Sequence, residues 1–156
     1  MKKKIQIEYN EFSHYNELGD EIGNLVHKAK KYLNNAYAPY SHFHVSCILQ
    51  LDNNETIVGT NQENIAYPSG ICAERTALFS FGTLFPENKI KKLIIVSKGE
   101  LIDENACLSP CGACRQVMAE YENKQNEPFE IYLISHSGRT FVFNTIKDLL
   151  IFPFGL

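Results

Sequence analysis

The sequence predicts an α/β protein in which a partly parallel sheet is covered by helices on both faces. Three observations predict it. Apolar residues recur at steps of three and four between Leu18 and Leu33, the pattern of a one-sided helix. Apolar and polar residues alternate from Phe43 to Leu51, the pattern of a strand. After a first hairpin, strand and helix signals alternate, which sets strands parallel with helices crossing over them. The 156 residues, 44% hydrophobic and 21% charged, suit one domain with its own core. We read residues 1–16 as an N-terminal arm and residues 17–156 as a single domain.

In the arm, Ile5, Ile7, Tyr9 and Phe12 are scattered apolar positions of an extended segment packed on the body. The first helix runs from Glu17 over about 17 residues, with Leu18, Ile22, Leu25, Val26, Ala29 and Leu33 on one stripe. Lys28, Lys30 and Lys31 near its end complement the helix dipole. Asn34-Asn35 stops it and Pro39 prevents its resumption. Phe43 to Leu51 is a half-buried strand, Asp52 to Glu55 a turn, and Thr56 to Thr60 the returning strand. A polar loop, Asn61 to Ile71, leads to a helix that starts around Cys72 and ends at Gly82. Lys92 to Ser97 is a buried strand. Ser109 as N-cap and Pro110 at the first helical position open a third helix reaching about Asn123. Glu130 to Ser135 and Thr140 to Asn144 complete a mixed sheet of five strands, and Thr145 to Leu150 is a short final helix.

Charge and cysteine content restrict the function classes. Fifteen basic and 18 acidic residues leave a net charge of −3, which counts against nucleic acid as a partner. No apolar run approaches the ~20 residues of a membrane span, and no apolar segment follows Lys2-Lys3-Lys4 as a signal peptide requires. Five cysteines, an odd number, argue against a disulfide framework. The expectation is a cytoplasmic protein without a membrane partner.

The chemistry is concentrated in Cys72-Ala73-Glu74-Arg75 and Pro110-Cys111-Gly112-Ala113-Cys114-Arg115. Cys111 and Cys114 are three apart and share a helix face. With Cys72 they make three thiolate ligands for Zn2+, each helped by the positive end of a helix. Three protein ligands rather than four is the pattern of a catalytic zinc site, whose open position takes water. Glu74 is two residues from Cys72, about 200° around a helix, so it suits proton transfer rather than coordination. Arg75 shares the face of Cys72, where it can donate to the sulfurs and offset their surplus charge; Arg115, beside Cys114, is a second candidate for this. A structural zinc knuckle would need Cys47 or Cys107 as a fourth ligand, and no second Cys-x-x-Cys exists for a finger. None of the five histidines begins a His-x-Glu.

Cys-Ala-Glu followed by Pro-Cys-x-x-Cys resembles the zinc-dependent deaminase signature in its three-cysteine form. The longer resemblance is to the small homotetrameric cytidine deaminases. It is carried in order by Ala38-Pro39-Tyr40-Ser41-x-Phe43-x-Val45, Asn61-x-Glu63-Asn64, Tyr67 to Ala77 and Ser109 to Val117. It covers roughly residues 17–150 and implies a three-layer α/β/α sandwich. It further implies hydrolysis of cytidine and deoxycytidine in pyrimidine salvage, in a homotetramer whose subunits share active sites. Implied roles are 3′-hydroxyl recognition by Asn61 and Glu63, base packing on Phe43, and substrate contact at Ala73. Phe43 in an alternating strand is also what plain core packing predicts, and Asn61 is also a turn former. Rival readings are a deaminase of a modified nucleoside or of blasticidin S, a non-catalytic zinc protein, and a nucleic-acid editor. Asn61 and Glu63, the intact Glu74, and the net charge respectively count against them. The chain departs from the family at Ser46-Cys47, where Gly-Ala is usual, and at Ile65, where alanine is usual. It departs again in the tail, where Phe152 or Phe154 takes the aromatic position.

Overall fold

In a computed structural model, which describes residues 1–155, six strands and three α-helices form three layers. The strands are β1 (Asn10–Phe12), β2 (His44–Leu51), β3 (Thr56–Thr60), β4 (Ile90–Lys98), β5 (Glu130–Ile134) and β6 (Thr140–Phe143). The helices are α1 (Asp20–Tyr32), α2 (Ala73–Leu84) and α3 (Gly112–Gln125). The sheet order is β1-β6-β5-β4-β2-β3. β4 and β5 pair in parallel and every other neighbouring pair is antiparallel.

Side-chain alternation assigns each face its helices. Cys47, Leu49, Leu93, Ile95, Ile131 and Leu133 point to a core completed by Ala77, Leu78 and Phe81 of α2 and Met118 of α3. Ile48, Ile94, Val96, Tyr132 and Ile134 point the other way, against Ile22, Leu25, Val26 and Ala29 of α1. Strand β2 is therefore buried on both faces rather than half-buried, and Ser46, Ile48 and Gln50 join its core residues. Cys47 is a fully buried member of the core.

The expected sheet had five strands. The sixth is β1, in which Asn10, Glu11 and Phe12 of the arm pair with Val142, Phe141 and Thr140. Three residues are too few to show a strand period. β1 is held instead by long-range contacts: Tyr9 packs on Phe141 and Phe143, and Arg139 pairs with Glu11. The first helix is also shorter than its apolar stripe. Gly19, at φ +85°, separates a 3-10 turn at Tyr15–Leu18 from α1, and another 3-10 turn at Leu33–Asn35 follows. These turns keep Leu18 and Leu33 on the stripe without continuing the α-helix. Helix α2 runs through Gly82 to Leu84. A Cβ on Gly82 would lie 2.6 Å from the Tyr121 hydroxyl, so this glycine serves the approach of α3 rather than a helix stop. The final helix is one 3-10 turn, Ile146–Asp148, capped by the Thr145 side chain.

Candidate active site

Helices α2 and α3 each present a cysteine as N-cap residue, in extended backbone: Cys72 at φ −74°, ψ 154° and Cys111 at φ −66°, ψ 166°. Neither cap side chain accepts from a backbone N–H of its own helix, so neither thiol is spent on capping. Helix α3 thus begins two residues later than Ser109 and Pro110 predict. The Ser109 hydroxyl accepts from Arg115 Nη2 at 2.8 Å and caps nothing, and the Pro110 carbonyl accepts from Arg115 Nε at 2.8 Å. The shift gives the two stretches matching geometry, with one ligand at each cap and Cys114 in the first turn of α3.

The Sγ atoms of Cys72, Cys111 and Cys114 lie within 4.8 Å of one another, and those of Cys111 and Cys114 are 3.5 Å apart. Tetrahedral zinc with bonds of about 2.3 Å sets its sulfurs about 3.8 Å apart, so the cluster fits that ion. The all-thiolate donor set also favours zinc over harder cations. Among the described residues this is the one group of three or more cysteine, histidine or acidic side chains at metal-ligand distances. Without metal, Cys72 ionises at the expense of Cys114. Cys72 is pushed down to about 5, first by a hydrogen bond from Cys114 and then by the Arg75 guanidinium. Cys114, donating to Cys72 and buried, is pushed up. Arg75 Nη2 lies 3.8 Å from the Cys72 sulfur.

Glu74 is only 5% exposed. Burial, augmented by the Cys72 thiolate, pushes its carboxyl up to about 7. Such a group holds or releases a proton near neutral pH, the property of a general acid–base. Its position depends on Gly59 in β3. A Cβ there would lie 2.3 Å from the Ala73 carbonyl oxygen and 2.4 Å from the Ala77 nitrogen. Only glycine lets the first turn of α2 sit this close to the sheet. A lone glycine inside a strand signals such an approach in sequence, though not which backbone approaches.

A cleft of about 290 Å³ opens beside the cluster. Its lining includes Tyr40, Asn61, Glu63, Tyr67, Cys72 and Arg75. Asn61 and Glu63 therefore share one cavity with a metal-ligand candidate. The Asn61 amide bridges the backbone of β2, accepting from Val45 N at 2.7 Å and donating to the Phe43 carbonyl at 2.9 Å. One proton and one lone pair remain for a ligand. Glu63 accepts from Tyr40 N at 3.0 Å, Ser41 N at 3.3 Å and the Ser41 hydroxyl. Burial opposes its ionisation, but these donors hold its carboxyl below the usual range. Phe43 and Ala73 are buried, at 7% and 0% exposure, and do not line the cleft. Phe43 instead belongs to the core, packed under Gly99.

Arg115 does not reach the sulfurs. Besides Ser109 and Pro110 it donates to the Leu149 carbonyl at 2.8 Å, tying the C-terminal segment to the start of α3. The Gln116 amide continues this tie, donating to the Phe154 carbonyl at 3.0 Å and accepting from Phe154 N at 2.8 Å. Phe152 and Phe154 are 81% and 88% exposed, and Ile65 is 84% exposed on the loop that leads to the cleft.

Comparison with known proteins agrees with this arrangement. Residues 20–126 match the pattern of a family described as the cytidine and deoxycytidylate deaminase zinc-binding region. The chain is 32% identical to a cytidine deaminase of Mycoplasma pneumoniae, over 80% of this chain and 86% of that protein. It is 39% identical to one of Sporosarcina psychrophila, over 76% and 80% respectively. A crystal structure of cytidine deaminase from Burkholderia pseudomallei superposes with a TM-score of 0.71 at 35% identity, covering 85% of this chain and 98% of that one.

Proposed function

The chain belongs to the cytidine deaminase family, and from that premise we propose that it is a zinc-dependent hydrolase converting cytidine and deoxycytidine to uridine and deoxyuridine, with release of ammonia. The observation that carries the reading is the convergence of three cysteine sulfurs beside a buried glutamate, with one of the three, Cys72, in the wall of a cleft that Asn61 and Glu63 also line.

Cys72, Cys111 and Cys114 would hold a zinc ion, which would supply Lewis-acid activation of water at neutral pH. Arg75 donates to the Cys72 sulfur and reduces the negative charge that three thiolates place on the centre. Glu74 takes a proton from the water as its oxygen adds to C4 of the cytosine ring, and gives a proton to ring N3. It then takes the proton of the new C4 hydroxyl and passes it to the exocyclic amine, which leaves as ammonia as the C4–N bond breaks and the C4 carbonyl forms. One water is consumed and one ammonia released, so the carboxylate ends each cycle as it began. A carboxyl group poised near 7 loses and regains a proton with little driving force in either direction.

Asn61 and Glu63 bind the ribose 3′-hydroxyl, as donor and acceptor respectively, and Phe43 and Ala73 shape the base end from behind the lining. An acceptor that is left unpaired when the hydroxyl is missing rejects such analogues strongly. The negative net charge and a cleft of nucleoside size favour a free nucleoside over nucleic acid. We place the enzyme in pyrimidine salvage in the cytoplasm, as a homotetramer with shared sites. The exposed Ile65, Tyr67, Phe152 and Phe154 are the apolar surface such an assembly covers. No helix among the described residues is long and apolar enough to cross a membrane.

The test is Glu74→Gln. It keeps about one zinc per chain and lowers turnover of cytidine by about 10²–10⁴-fold, the usual worth of a positioned acid–base. Loss of the metal together with turnover would assign Glu74 to the metal site instead. Unchanged turnover would remove it from the reaction.

A further inference from the structure

We propose that Ser41 is a positioning residue for sugar recognition, orienting the Glu63 carboxylate toward the substrate's 3′-hydroxyl; the inference rests on the nucleoside reading above. Its hydroxyl links two partners. It accepts a hydrogen bond from Phe43 N at 3.1 Å, which occupies a lone pair and turns its proton away from the β2 backbone. That proton is given to Glu63 Oε1. The other carboxylate oxygen, Oε2, is held by Tyr40 N and Ser41 N. Both oxygens are thus fixed from one side by the turn that precedes β2, although Glu63 stands on the loop that follows β3.

The backbone ties the same two segments together. Glu63 N donates to the Tyr37 carbonyl at 2.8 Å, and Tyr37 N donates to the Asn61 carbonyl at 3.0 Å. The loop is therefore held with or without the serine hydroxyl. What the hydroxyl adds is the orientation of one side chain. A carboxylate carries about four acceptor positions. Three protein donors leave one, and the Ser41 bond selects which rotamer turns that one to the cleft. His42, at φ +54°, completes the sharp turn that brings the serine under Glu63. Ser41 is itself exposed, so its substitution leaves no cavity in the core.

The experiment compares cytidine with 3′-deoxycytidine as substrates of the zinc-loaded wild type, Ser41→Ala, Ser41→Thr and Glu63→Gln. A charge-assisted hydrogen bond that fixes a carboxylate is worth about tenfold in kcat/KM. Ser41→Ala lowers kcat/KM for cytidine by that factor and leaves the 3′-deoxy substrate within about twofold of wild type. Ser41→Thr, which keeps the hydroxyl, restores the preference. Equal losses on both substrates would overturn the proposal, because the serine would then act through the loop as a whole. So would an unchanged preference in Ser41→Ala while Glu63→Gln abolishes it. If Glu63→Gln leaves the preference intact, Glu63 has no part in sugar recognition and the nucleoside reading of this loop falls first.

Discussion

Replacing Gly59 by alanine adds one methyl group to β3 and tests how α2 is held. The new Cβ would meet the Ala73 carbonyl oxygen at 2.3 Å, the Ala77 nitrogen at 2.4 Å and the Ala77 Cα at 3.0 Å. All three are backbone atoms, so no side-chain rotation relieves the contact. Ordinary contact begins near 3.4 Å, so the first turn of α2 must retreat from the sheet by about 1 Å. Overpacking of this kind costs about 1–3 kcal/mol. At about 2–4 °C per kcal/mol for a chain of this length, Tm falls by roughly 2–12 °C. Activity falls further than stability. Cys72 and Glu74 move with the first turn of α2, while Cys111 and Cys114 stay on α3. A displacement of about 1 Å at a reacting group costs on the order of 10²-fold in rate. The assay pairs thermal unfolding with cytidine turnover at a temperature where the variant stays folded. Gly23→Ala is the control. It lies in α1, a Cβ there meets nothing within 4 Å, and alanine is the better helix former. It raises stability by about 0.5–1 kcal/mol and leaves turnover unchanged. A Gly59→Ala protein with wild-type Tm and turnover would refute the close-approach account of α2.

Arg115→Ala removes the bonds to Ser109, Pro110 and Leu149. Limited proteolysis then cuts the segment after Leu149 faster than in the wild type, and lysine, lacking the planar fork, does not restore protection; an unchanged cleavage rate would disprove the tie. Glu127 is held down to about 2, by a hydrogen bond from Lys89 first and then from Lys91, against an ordinary value of 4.5. A depressed carboxyl stabilises the fold above its unfolded pKa, and that contribution is lost as pH falls through the folded value. The urea midpoint of Glu127→Gln therefore trails the wild type near pH 6, and the gap closes between about pH 4.5 and 2; a gap that widens on acidification would reverse the sign of the coupling. Arg75→Ala removes the guanidinium that donates to Cys72 and lowers zinc affinity by about 10–100-fold in a competition with a chromophoric chelator, whereas unchanged affinity would deny it that role.

Much of this was legible in the residues themselves. The stripe from Leu18 to Leu33, the alternation from Phe43 to Leu51 and the Thr56–Thr60 return are local patterns, and each strand or helix lies within two or three residues of where its pattern put it. The convergence of Cys72, Cys111 and Cys114 was likewise foreshadowed by spacing and chemistry. What escaped the sequence depends on contacts distant along the chain. β1 owes its pairing to residues about 130 positions away, so no local period announces it. The start of α3 moved because Arg115 took the Ser109 hydroxyl and the Pro110 carbonyl, a competition that cap preferences do not contain. Adjacency to Cys114 points Arg115 toward the sulfurs, but successive residues on a helix point about 100° apart. The strand pattern suits Phe43 to core packing as well as to substrate contact, and burial under Gly99 places it in the core that backs the cleft. Ser41 carried no signal of its own, since serine in a turn before a strand is ordinary.

The most direct test of the account measures zinc content and cytidine turnover on one sample of the purified protein. The account predicts about one zinc per chain and loss of cytidine absorbance with one ammonia released per uridine formed. It also predicts that activity falls with the zinc on chelation and returns when zinc is restored. A folded, zinc-loaded protein that leaves cytidine and deoxycytidine intact would contradict it, as would full activity in a protein stripped of its metal.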